Sequence, residues 1–283
     1  MGCNQGNKFR RGIKRPTHMN RRSFIWKGLL ALGGFLSGYG GLGSVPAGAA
    51  SLTGRCTGGR NRRSRMALII DDIGQSRARA RQFIDLDVAL TFSILPHLPY
   101  SDQLAREMHG IGYEVMLHQP MEPYSPACDP GPGALFVGDG SRRIARVMEG
   151  NIRTLPQAVG VNNHMGSRFT ESAEDIGAAL KIVKKNGLFF VDSCTTNHSK
   201  ARAMARSFDI PALSRRVFLD NVREESAVLR ELYRVKRHAL RKGRVVAIGH
   251  PFPETARAIR RFAMDADNTD IRLVSVSGLM QSP

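Results

Sequence analysis

The sequence predicts an α/β fold of parallel strands joined by crossover helices. Three observations predict it. Short apolar, β-rich runs recur from Met66 onward, each run passes into a polar loop, and each loop leads into a stretch of helical period. Parallel neighbours need a connection that returns the chain to the same end of the sheet, and a helix supplies it. The runs fall at 67–70, 88–95, 113–117, 158–161, 188–191, 244–248 and 271–276. The first is closed by Asp71-Asp72, the second by Pro96 and the third by His118-Gln119-Pro120. The fourth runs into Asn162-Asn163-His164, the fifth into Asp192-Ser193 and the sixth into Gly249-His250-Pro251. Helices are expected at about 75–85, 100–110, 141–154, 171–186, 198–207, 223–242 and 254–262. In 223–242, Leu229, Leu232, Tyr233 and Leu240 fall on one stripe with Arg and Lys opposite, and Gly243 stops the helix. A weaker apolar piece at 210–213 and 217–219 is a candidate extra strand. Two closures satisfy this alternation, a (β/α) barrel and an open doubly wound sheet. No G-x-G-x-x-G follows the first run, which disfavours a dinucleotide domain. Both closures place chemistry at the carboxyl ends of the strands.

The 283 residues are 42% hydrophobic and 23% charged, which excludes a disordered chain, a collagen-like fibre and a multi-span membrane protein. The net charge of +18 invites a nucleic-acid reading until it is divided. Residues 1–65 hold 13 Lys and Arg and no acid, so the remaining 29 basic residues face all 24 acids and leave +5. Most of the basic excess lies in the leader, and no nucleic-acid partner is expected. That leader carries Arg21-Arg22-Ser23-Phe24, an apolar run with seven glycines over 28–43, and a small-residue cleavage pattern at Ala47-Gly48-Ala49. These read as a signal peptide over 1–50, of the twin-arginine type. The run is too short and glycine-rich for a membrane span, so no stable span is expected after cleavage. Residues 51–65 read as a basic flexible linker and 66–283 as the domain, placed in the periplasm or outside the cell. Cys56, Cys128 and Cys194 remain after the leader, and no C-x-x-C spacing offers a thiolate zinc site.

Five strand ends carry Asp or His, for which buried apolar strands give no structural reason. Asp71 and Asp72 point to opposite faces if the strand stays extended, so one can bind a cation while the other stays free as a base. A helix cap accounts for one of the two aspartates, not for both. Asp72, His118 and His164 make one carboxylate and two imidazoles. Such a set suits zinc or another first-row divalent ion, with positions left for water and substrate. Asp71 is then the candidate base and His250, across the mouth, the candidate acid. His97, just past the second run, is kept as a possible cleft residue. Arg215-Arg216 and Asp220-Asn221 flank Val217-Phe218-Leu219 and read either as a surface ion-pair cluster or as a substrate rim.

Six motifs occur in order: IIDDIG at 69–74, LHQPME at 117–122, NNHMGSRFT at 162–170, FFVDSCTT at 189–196, FLDN at 218–221 and AIGHP at 247–251. With these the chain resembles the divergent polysaccharide deacetylase family, the YibQ-like branch of the NodB-homology carbohydrate esterases, over about residues 66–280. The resemblance implies a distorted (β/α)7 barrel of the glycoside hydrolase/deacetylase type, with a divalent metal, usually Zn2+, at the strand carboxyl ends. It implies Asp71 as catalytic base, Asp72, His118 and His164 as metal ligands, and His250 as general acid. Asp192 would position a basic or catalytic partner, and Asn163, Ser167 and Arg215 would bind substrate. The expected function is an exported, metal-dependent hydrolase that removes acetyl groups from an envelope or extracellular glycan. The rival is a periplasmic glycan-binding or cell-envelope regulatory protein on a degenerate hydrolase scaffold.

Overall fold

A computed structural model describes residues 64–266 and 270–281. The signal peptide and nearly all of the linker therefore lie outside the described residues. Chain order is β1 (Ser64–Ile73), α1 (Arg77–Ile84), β2 (Thr91–Ile94), α2 (Ser101–Gly110), β3 (Glu114–Met121), α3 (Gly140–Thr154), β4 (Ala158–Met165), α4 (Ala173–Lys185) and β5 (Phe189–Asp192). It continues with α5 (Ala201–Ser207), β6 (Ala212–Ser214), β7 (Val217–Phe218), α6 (Glu225–Lys242), β8 (Arg244–Gly249), α7 (Pro253–Ala266), β9 (Ile271–Val274) and α8 (Val276–Met280). Ser64 and Arg65, expected in the linker, pair with β9 as the first residues of β1. Among the described residues, no helix is long and apolar enough to cross a membrane.

All named strand pairs are parallel, and the sheet runs β6-β5-β4-β3-β2-β1-β8-β7 with β9 against the start of β1. The expected extra strand is real and split. β6 lies beside β5, the chain steps across at Arg215-Arg216, and β7 lies beside β8. The step itself is bonded, Arg215 N–H donating to Asp192 O at 3.0 Å and Arg216 N–H to Val246 O at 2.9 Å. The curled sheet thus meets itself through one short segment, which is the distortion of the barrel.

Helix ends follow local chemistry. Ser76 caps α1 by accepting from Arg79 N–H, and Ser172 caps α4 by accepting from Asp175 N–H. Gly243 closes α6 with φ 79°, a conformation that a residue with a Cβ adopts at a cost. The stripe of α6 is rotated from the expected one. Val228, Leu232, Val235 and Ala239 are buried and Leu240 is 45% exposed, because the helix packs by that ridge. The last strand stops at Val274 and not at 276. Ser275 caps α8 there, and Val276 and Leu279 turn into the barrel.

Strand side chains alternate between two layers. Leu68, Ile70, Val115, Leu117, Val161, Phe190, Val245 and Ala247 pack outward under the helices. Ala67, Ile69, Met116, Phe189, Val191, Val246 and Ile248 fill the barrel interior with α8. Gly160 belongs to the interior face. A Cβ there would sit 2.2 Å from the Phe189 ring, so only glycine admits that aromatic. Following the period upward, the interior columns continue from Ile69 to Asp71, Met116 to His118, Gly160 to Asn162 and His164, Val191 to Ser193, and Ile248 to His250. The barrel is thus apolar below and polar at its carboxyl-end mouth.

Candidate active site

Asp71 and Asp72 do not point to opposite faces. Between Ile70 and Ile73 the register of β1 against β2 shifts, so Asp71 and Asp72 stand opposite the single residue Ser93. This is a bulge, with Asp72 at φ 56°. Bulges re-aim side chains, and Asp tolerates the left-handed region better than most residues. Both carboxylates consequently face His118, whose Nε2 lies 3.6 Å from Asp71 Oδ2 and 3.2 Å from Asp72 Oδ1. His164 follows from β4, its Nδ1 being 2.9 Å from Asp72 Oδ1 and 3.2 Å from His118 Nε2.

These three atoms form a near-equilateral triangle. Asp72 Oδ1 is buried, yet neither imidazole meets it with hydrogen-bond geometry, and it has no other donor. A buried oxygen left in that condition is costly unless something cationic completes it. Tetrahedral zinc with bonds of about 2.0–2.1 Å spaces neighbouring donors about 3.3 Å apart, close to the edges seen here. The donor set, one carboxylate and two imidazoles, therefore fits a first-row divalent ion.

The electrostatics agree. Burial opposes ionisation of Asp72, but the His118 and His164 imidazoles outweigh it and hold the carboxyl far below the usual range. Burial raises Asp71, and the nearby His118 and His250 pull it back only in part. His118 is buried, which lowers it, but the Asp71 and Asp72 charges win and raise it.

On the far side of the mouth, His250 Nε2 stands 4.0 Å from Asp72 Oδ2. Its Nδ1 lies 2.8 Å from Asp220 Oδ1, while its backbone N–H donates to Asp220 Oδ2 at 2.6 Å. The Thr255 hydroxyl also donates to Asp220 Oδ2, at 2.8 Å. Burial depresses the His250 imidazole, but this carboxylate overrides it and pushes the pKa up to about 9. Phe218 and Phe252 flank the ring, with centroids 5.6 and 5.9 Å away.

Asp220 is thus a buried partner of His250, not a member of a surface ion-pair cluster. It is Asp220, not Asp192, that holds the His250 ring and backbone. Asp192 lies on the outward face of β5, where it accepts from Cys194 N–H and the Ser199 hydroxyl, both at 2.8 Å. Asn163 also faces outward. Its amide donates to Met165 O and accepts Ser193 N–H, each at 2.8 Å, so it ties two loops together on that face. Ser167 Oγ accepts Tyr124 N–H at 3.0 Å and holds the loop after β3. Arg215 sits at the rim. Its Nε and Nη2 donate to Ser193 O and Cys194 O at 2.6 and 2.7 Å, and its guanidinium lies 3.7 Å over the Phe218 ring. His97 bonds Asn151 Oδ1 at 2.8 Å through Nε2 and does not line the cleft at the mouth. That cleft, about 330 Å3, joins Asp72 and His164 to Gly74, Leu98, Asp129 and Phe252. A larger groove of about 580 Å3 between α1, α6 and α7 contains none of these catalytic candidates.

The sequence profile of the divergent polysaccharide deacetylases matches residues 68–280. The chain belongs to the divergent polysaccharide deacetylase family. Among its relatives, the uncharacterised protein YibQ of Escherichia coli K12 is 31% identical over 77% of this chain and 68% of its own length. An uncharacterised protein of Haemophilus influenzae Rd is 28% identical over 77% of this chain and 78% of its own. The crystal structure of an uncharacterised protein from Agrobacterium tumefaciens C58 superposes with a TM-score of 0.71, at 25% identity, over 77% of this chain and 89% of that one. Asp71, Asp72, His118, Asn163, His164, Ser167, Asp192, Asp220 and His250 fall in the six motifs, while His97, Arg215, Phe252 and Thr255 lie outside them. The bulge, the triangle and the Asp220–His250 pair are the physical content of those motifs.

Proposed function

We propose that this divergent polysaccharide deacetylase is an exported, metal-dependent hydrolase that removes acetyl groups from the nitrogen of an envelope or extracellular glycan. The observation that carries the reading is the convergence of Asp72, His118 and His164 between a candidate base and a candidate acid. Bound by those three side chains, a divalent ion, with Zn2+ the expected one, would polarise the acyl oxygen and acidify water. Asp71 takes the proton from the attacking water through Oδ2, the oxygen that Asn162 does not hold. His250, protonated at neutral pH and held through Nδ1 by Asp220, gives its Nε2 proton to the departing amine. The mouth cleft, with Phe252 and Leu98 as its apolar wall, is the expected seat of the reacting sugar. Export by the twin-arginine route, and hence a periplasmic or extracellular site of action, rests on the leader sequence.

The test is acetate release from chito-oligosaccharides and peptidoglycan by the purified protein. Release that stops with a chelator and returns with Zn2+ is the expected result. Tight glycan binding without release under any divalent ion would replace the hydrolase with a glycan-binding protein.

A further inference from the structure

We propose that Asn162 is a positioning residue that sets the catalytic base and one metal-facing histidine through a single side-chain amide. The proposal rests on the reading of the site given above and goes beyond it. A primary amide offers two acceptor lone pairs and two N–H donors. Asn162 uses all four: Oδ1 lies 2.8 Å from His118 Nδ1 and accepts the Ser93 hydroxyl, while Nδ2 donates to Asp71 Oδ1 at 2.9 Å and to Ser193 Oγ at 3.3 Å. The residue is fully buried, two positions before His164 on the interior face of β4.

The orientation of the amide is dictated by its surroundings. Turned over, its oxygen would meet the Asp71 carboxylate, and its NH2 would meet His118 Nδ1 only as a donor, which would put the imidazole proton on Nε2, toward Asp72 and His164. In the observed orientation His118 donates Nδ1–H to Asn162, so Nε2 keeps its lone pair toward Asp72 and His164. A hydrogen bond at the far nitrogen is what fixes the tautomer and ring angle of a ligating histidine. The same amide holds Asp71 by one oxygen and leaves Oδ2 facing His118 Nε2 at 3.6 Å. Ligand and base are therefore set by opposite ends of one rigid group. A side chain needed only to fill space would not require four matched partners, and the neighbouring Asn163 bonds loop backbone alone.

The two ends can be separated by substitution in the full chain. Asn162→Asp keeps an oxygen for His118 and Ser93 but has no N–H for Asp71. Asn162→Leu removes both ends. The readouts are Co2+ affinity from its visible absorption and acetate release from chito-oligosaccharides. The Asp variant is expected to bind Co2+ at least as tightly as the wild type while turnover falls about 100-fold. The Leu variant is expected to lose about 10–100-fold in Co2+ affinity as well. Equal losses of Co2+ affinity in both variants, or wild-type behaviour in Asn162→Leu, would overturn the proposal. A measurement that needs no variant is the 1H–15N spectrum of the Zn2+-loaded wild type. Its His118 proton belongs on Nδ1, and a proton on Nε2 instead contradicts the proposal. If the wild type takes up no Co2+, the metal reading itself fails and takes this proposal with it. Uptake without a split between the variants sinks this proposal alone.

Discussion

Replacing Asp71 with asparagine is expected to lower acetate release by about 100- to 10,000-fold while cation uptake stays intact. The substitution is nearly isosteric and removes the proton acceptor together with its charge. Asp71 is buried on the interior face of the barrel, with one oxygen anchored by Asn162 and the other facing His118 Nε2 at 3.6 Å. Burial raises its pKa, which moves a carboxylate toward the range where it is an effective base near neutrality. Asp72, beside it, is driven the opposite way by its two imidazoles. Divergent environments suit two adjacent carboxylates to divergent tasks, the raised one to taking a proton and the lowered one to holding a cation. Steady-state acetate release, with metal content measured on the same samples, checks the expectation. Turnover within about tenfold of wild type would place the base elsewhere.

Asp220→Asn should have the second large effect, on the acid side. The Asp220 carboxylate outweighs burial and holds the His250 pKa at about 9. A group raised in this way is protonated below its folded pKa, so the active form of His250 is present at neutral pH and is lost as pH rises through about 9. Neutralising Asp220 removes the stabilising charge and leaves burial, which favours neutral imidazole. The alkaline limb of the turnover profile should therefore move down by about one pH unit or more, and turnover at neutral pH should fall about 100-fold. The linked stability has the same sign. The Asp220–His250 contact contributes fully below about pH 6.5, the usual histidine value, and fades as pH passes about 9. An unshifted alkaline limb in Asp220→Asn would show that His250 is not the proton donor.

Most of the architecture was legible because each apolar run and each helical stretch met its own local rule. The strand ends Asp71, His118, His164 and His250 were legible as well, since nothing apolar explains polar residues there. The errors were of facing. The period of two that places Asn162 and His164 inside also turns Asn163 outward, and it does the same for Asp192 beside Val191 and Ser193. Asp192, expected as a catalytic residue, and Asn163, expected to bind substrate, are both turned away from the triangle by the strand pleat. Asp220 carried a weaker signal. It follows a two-residue strand, too short for a period to be read from sequence. Asp72 was the opposite case, where the pleat misleads: the register shift against Ser93 brings it round to the site. A bulge depends on the partner strand, and no pattern within residues 66–73 encodes it. Leu240 missed its stripe for a similar reason, because the docking ridge of α6 is chosen by the surface beneath it.

The proposed chemistry requires three side chains, from β1, β3 and β4, to share one cation. X-ray absorption at the zinc edge of the Zn2+-loaded full chain measures this directly. The expected result is one zinc per chain with two imidazole donors and oxygen donors at about 2.0–2.2 Å, and no sulfur. A sulfur shell from Cys128 or Cys194, a shell without imidazole, or failure to retain zinc would contradict it.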